Sequence, residues 1–167
     1  NVGADTITGG VASESFTQTI GADTYEGGAG TGVDTFTTVT ALTAAGSSNA
    51  STGTLVNMGG TAVTQGSVNS NASSFISGSL TSVGAGKIAH LYAGNVAGNS
   101  AELDTIGGIE NITGSAGIDY IVGSGENNTI TTLAGADYIE GGAGIDTITG
   151  GDGIDTINLG LAHAVAA

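Results

Sequence analysis

A chain of 167 residues with 32 glycines and no proline, cysteine or tryptophan has room for one domain or one elongated module, but much of its apolar content is alanine, which buries little area. Fifteen carboxylates face one cation, Lys87, for a formal net charge of −14; this opposes collapse unless it is neutralised and argues against nucleic acid or anionic lipid as partners, which require clustered Lys and Arg. The lack of cysteine excludes disulfides and thiolate metal sites, and no apolar run reaches the roughly 18–20 residues of a membrane helix, so no membrane insertion is expected.

In chain order, residues 1–37 form a first repeat block. Asp5, Glu14, Asp23 and Asp34 are each followed two places later by Ile7, Phe16, Tyr25 and Phe36. The interval is nine residues except before Asp34, where GGAGTGVDTFT carries two extra. Residues 38–104 break the phase: they are rich in Ser, Thr, Asn, Ala and Gly, with short apolar beats such as TLVNM, SFISGSL and KIAHLYA. They read as an insertion of short strands and long loops.

From 105 to 158 the nine-residue phase returns without a gap as TIGGIENIT, GSAGIDYIV, GSGENNTIT, TLAGADYIE, GGAGIDTIT and GGDGIDTIN. The eighth position is always Ile (112, 121, 130, 139, 148 and 157), and the sixth holds Glu110, Asp119, Asn128, Asp137, Asp146 and Asp155. Linkers do not keep an internal Ile at fixed phase, so a flexible low-complexity tract is the poorer reading. Residues 159–167 form a C-terminal extension whose LGLAHAVAA is the one plausible helical start; elsewhere glycine, β-branched residues and two-residue alternation predict strands. The chain opens on Asn1 with no initiator Met or signal peptide, which reads as a processed product or a piece of a longer chain.

Each unit divides into a turn, G-G-x-G-x-D, and a three-residue strand such as TIT or YIE, with Ile pointing inward and its neighbours outward. Glycines in the turn permit positive φ and bring carbonyl oxygens together. Carbonyls beside a carboxylate make an all-oxygen site for a hard cation. Calcium, with six to eight oxygen ligands, suits such a site better than magnesium's rigid octahedron. A solenoid whose acid ladder binds no metal is the plainer alternative. His90 and His163 lack any zinc-type spacing, and there is no P-loop, G-x-S-x-G or cysteine nucleophile, so no enzyme activity is expected.

GGAGIDTIT and GGDGIDTIN resemble the calcium-binding nonapeptide of the RTX (repeats-in-toxin) family, and LDTIGGIENITGSAGIDYI is similar to the stretch that opens such blocks. The resemblance implies an all-β, right-handed parallel β-roll in two blocks separated by the insertion. Two nonapeptides make one coil, and several Ca2+ ions lie between successive turns. Alternate units, 18 residues apart, would stack Asp119, Asp137 and Asp155 on one side, and Glu110, Asn128 and Asp146 on the other, where sites would be weaker or fewer. In the first block Asp5 would pair with Asp23 and Glu14 with Asp34 across the distorted turn. Further ligands would be backbone oxygens of Gly114, Ala116, Gly141, Gly142, Ala143, Gly144, Gly150, Gly151, Asp152 and Gly153.

The small-residue, nearly cation-free composition looks most like RTX-bearing surface-layer proteins of Gram-negative bacteria. That likeness implies type I secretion, an extracellular or cell-surface location, and neighbouring copies of the same protein as partners, pairing the open strand edges that solenoids leave. The alternative is the RTX domain of a secreted enzyme, toxin or adhesin whose active part lies outside this chain.

Overall fold

The computed structural model describes residues 3–19, 21–38, 53–64, 82–92, 96–97 and 103–159. The expected helical start lies outside them beyond Leu159, as do His163 and the SFISGSL beat. The described residues hold 18 strands and no helix.

The first block contributes Thr6–Thr8 (β1), Ser15–Thr17 (β2), Thr24–Glu26 (β3) and Thr35–Thr37 (β4). Within the insertion lie Gly53–Asn57 (β5), Val63–Thr64 (β6), Ser82–Val83 (β7), Lys87–Tyr92 (β8) and Val96–Ala97 (β9). The last block contributes Asp104–Gly107 (β10), Asn111–Thr113 (β11), Tyr120–Val122 (β12), Thr129–Thr131 (β13), Ala134–Gly135 (β14), Tyr138–Glu140 (β15), Thr147–Thr149 (β16), Asp152–Gly153 (β17) and Thr156–Asn158 (β18).

Strands three residues long cannot stand alone; they are held because each stacks in parallel on its equivalent one coil away. Tyr120 pairs with Tyr138 and Tyr138 with Thr156, while Thr129 pairs with Thr147, all 18 residues apart. Two sheets result, one from each strand of the coil. One runs β2, β4, β11, β13, β16; the other runs β1, β3, β10, β8, β5, β12, β15, β18. This is the β-roll expected from the repeat. The eighth-position side chains meet between the sheets, where Phe36, Ile121, Ile130 and Ile139 are fully buried. In the first block aromatics fill the same space, Tyr25 standing edge-on to Phe36 with ring centroids 4.8 Å apart.

The two blocks stack directly on each other. β10 continues the ladder of β3, and β11 that of β4. The insertion enters one sheet only: β8 and β5 form an antiparallel pair wedged between β10 and β12. Two extra strands at about 4.8 Å spacing lengthen that sheet by roughly 10 Å while the opposite sheet remains unbroken. Val56 and Ile88 of the wedge reach the inner core. Where the coils part, a pocket of about 230 Å³ opens among residues that include Met58, Ile106, Ile109 and Glu110.

The β6–β7 pair of the insertion covers the outside of that sheet. Tyr120 and Tyr138 alternate outward from their strands, yet both are buried, with rings stacked 4.7 Å apart. They pack with Leu55, Val63, Val83 and Ala89 in a second apolar cluster. Burial under this layer, with adjacent charge from Tyr138 and Glu140, pushes the Tyr120 hydroxyl well above its ordinary value.

Candidate metal centre

The roll brings sixth-position side chains into two columns, one at the turn preceding each sheet. In both columns the carboxylate of one coil accepts the backbone N–H of its equivalent in the previous coil. Asp119 N–H donates to Asp137 Oδ1 at 2.8 Å and Asp137 N–H to Asp155 Oδ1 at 3.1 Å. In the first block Asp5 N–H donates to Asp23 Oδ1 at 2.8 Å. On the opposite column Glu14 N–H donates to Asp34 Oδ1, Asp34 N–H to Glu110 Oε2, and Asn128 N–H to Asp146 Oδ1. The two additional residues before Asp34 leave this contact intact; Gly28, Ala29, Gly30 and Thr31 lie exposed, and Phe16 still pairs with Phe36.

The repeat's leading glycine has a steric cause. Each carboxylate folds back beneath the residue five places earlier, so a Cβ on Gly114, Gly141 or Gly150 would meet Oδ2 of Asp119, Asp146 or Asp155. The second and fourth glycines serve the backbone: Gly142, Gly144, Gly151 and Gly153 all have positive φ. A side chain on them would strike the carbonyls of Ser124, Glu126, Leu133 and Gly135 respectively. Main-chain oxygens of one coil therefore crowd the turn of the next. Ala143 N–H donates to Ser124 O and Asp152 N–H to Leu133 O, and Asp152 and Ala116 are themselves exposed.

Among the described residues no three His, Cys, Asp or Glu side chains come together as a metal cluster. A cation held here would take one or two carboxylates and complete its shell with backbone carbonyls. Burial sets the electrostatics of the columns. Asp119, Asp137 and Asp104 are all buried, and desolvation is the largest cause lifting each carboxyl above its usual value, Asp104 to about 6. For Asp137, hydrogen bonds from the Asp119 backbone and the Thr132 side chain oppose the rise, and the neighbouring charges of Asp119 and Asp155 add to it.

Residues 104–162 match a family model, the RTX calcium-binding nonapeptide repeat, in four copies spread over 104–139, 113–148 and 131–162. The chain carries RTX calcium-binding repeats. No curated protein matches it.

The RTX turns fit calcium by the chemistry of their donors. Every candidate donor is oxygen, as a hard cation requires. Asp137 Oδ2 and Glu14 Oε2 are buried atoms with no hydrogen-bond partner, and a carboxylate oxygen left this way costs free energy unless a cation meets it. Bound calcium would supply that charge, held by Asp137, Asp146 or Asp155 with turn carbonyls. Asp119 accepts in the same sense as the rest of its column, here from Thr54 of the wedge, whose N–H and hydroxyl both donate to Oδ1 at 2.8 Å.

Nine-residue counting misses Asp104. Asp104-Thr105-Ile106 repeats the Asp-Thr-aromatic or Asp-Thr-Ile phrase of Asp23-Thr24-Tyr25 and Asp146-Thr147-Ile148, but the turn after it is three residues short, so it falls outside the phase. It accepts the Asp23 N–H at 3.0 Å and joins the two blocks. The shared tripeptide was the available signal. Thr54 had none, since it reaches the column only through the wedge.

Proposed function

We propose that this chain is a non-catalytic structural module of a secreted bacterial protein, folded by calcium, whose neighbouring copies assemble into a surface layer. The observation that carries the calcium step is Asp137 Oδ2, buried and without a donor, in a column that continues to Asp155. Bringing such carboxylates within one coil spacing is unfavourable while they are bare. An ion that binds only the coiled form stabilises it by mass action, so binding and coiling are one event. RTX proteins are typically exported unfolded by type I secretion and meet calcium outside the cell, which supports an extracellular location. The lattice reading rests on composition: with a net charge of −14, copies repel one another until divalent cations neutralise them.

The test is a calcium titration of the purified chain followed by circular dichroism, with electron microscopy of the saturated sample. Calcium-dependent β-structure and ordered sheets are expected. Unchanged β-content between calcium-free and saturated samples overturns the folding step. Monomers in saturating calcium overturn the lattice and favour an RTX domain of a secreted enzyme, toxin or adhesin.

A further inference from the structure

Not every acid of the two columns lacks partners, and the difference follows one position of the repeat. Four residues before Asp119 stands Ser115, whose hydroxyl donates to Asp119 Oδ1 at 2.8 Å while its N–H donates to Oδ2 at 2.7 Å. Four before Asn128 stands Ser124, whose N–H and hydroxyl both donate to Asn128 Oδ1, at 2.8 and 3.1 Å. The Asn128 amide then donates to Glu110 O at 2.8 Å, setting a neutral N–H group against that carbonyl. Four before Asp23 stands Thr19, whose hydroxyl donates to Asp23 Oδ2 at 2.6 Å, and Tyr25 donates to the same oxygen at 3.3 Å. Beside Thr19, Gln18 donates to Asp104 Oδ2 at 2.8 Å.

Where the second position lacks a hydroxyl the pattern stops. Leu133 precedes Asp137, whose Oδ2 has no partner, and Gly10 precedes Glu14, whose Oε2 has none. Asp146 and Asp155 likewise follow Gly142 and Gly151.

We infer that the second residue of each repeat decides which turns take calcium: a hydroxyl there closes the turn with the chain's own donors, and its absence leaves the turn open to the cation. Two or three hydrogen bonds to a carboxylate stabilise its charged form as a nearby cation does. The middle of the roll, around Asp23, Asp104, Asp119 and Asn128, is therefore closed without metal, and calcium acts on the turn at Glu14 and on the coils that carry Asp137, Asp146 and Asp155. This inference rests on the calcium reading above.

Hydrogen exchange of the full chain, with and without calcium, tests it together with one substitution. Calcium should slow exchange at least about tenfold over residues 132–158 and change it less than about twofold over residues 104–122. Equal slowing in both segments overturns the inference while leaving calcium binding intact; no slowing anywhere overturns the calcium reading itself. Leu133 is half-exposed, so Leu133→Ser should fold and place a hydroxyl four residues before Asp137. Isothermal titration calorimetry should then find about one calcium equivalent fewer than in Leu133→Ala. Equal stoichiometry and affinity in the two variants would refute the role of the hydroxyl.

Discussion

Asp137 donates its backbone N–H to the carboxylate of Asp155, exactly one coil further along, at 3.1 Å. Asp155 thus closes a main-chain hydrogen bond with Oδ1, and Oδ2 is the oxygen the proposed calcium would take. Sequence conveys the acid; this contact explains why it must also be spaced by 18 residues.

Replacing Asp155 by Ala removes both roles, and replacing Asp137 by Asn removes only the second. Asp137→Asn keeps an oxygen for the Asp119 N–H and discards a buried charge. It should weaken calcium-induced coiling about tenfold, near 1.4 kcal/mol, and Asp155→Ala by more. Glu110→Ala should weaken it less than Asp155→Ala, because Glu110 serves mainly to accept the Asp34 N–H. Calcium midpoints from circular dichroism measure all three; equal midpoints for Asp155→Ala and Glu110→Ala would contradict the assignment.

Gly141→Ala places a methyl group 2.7 Å from Asp146 Oδ2. It should raise the calcium midpoint severalfold, as loss of the Asp146 ligand would. Gly125→Ala is the control: nothing lies within 4 Å of a Cβ there, and its midpoint should equal that of the unsubstituted chain.

The buried carboxyls set the acid response of the metal-free chain. Asp104, Asp119 and Asp137 have folded values above their unfolded ones, with burial the leading cause. Their contribution to the metal-free coil is therefore fully present below pH ~4 and is lost as pH rises through the folded values, about 6 for Asp104. β-structure in a chain freed of calcium on a chelating resin should increase as pH falls from 7.5 toward 4.5. In saturating calcium the trend should reverse, since protons compete with the ion. Circular dichroism at both conditions decides it; a metal-free signal that declines on acidification would refute the prediction.

The central coils should dominate the stability of the calcium-saturated roll. Ile130 is fully buried, and Ile130→Ala should cost about 2–5 kcal/mol. Ile157, which is 46 % exposed in the final strand, should cost under about 1.5 kcal/mol. Denaturant unfolding at fixed saturating calcium measures the difference.

Sequence alone determined the repeating unit: its nine-residue phase, the inward Ile, the outward alternation, the glycine turn and the acid that follows it. Those features are local, because strand pleat and glycine sterics act within one unit and recur with it. Tertiary structure alone decided three other things. It drove the β5–β8 pair into one sheet and buried Tyr120 and Tyr138, which alternation turns outward. It put Asp104 in the column although its turn is three residues short, because stacking tolerates shortened turns where counting does not. And it settled which carboxylates already have donors: Thr54 reaches Asp119 across 65 residues of chain, a partnership between distant segments that no periodicity encodes.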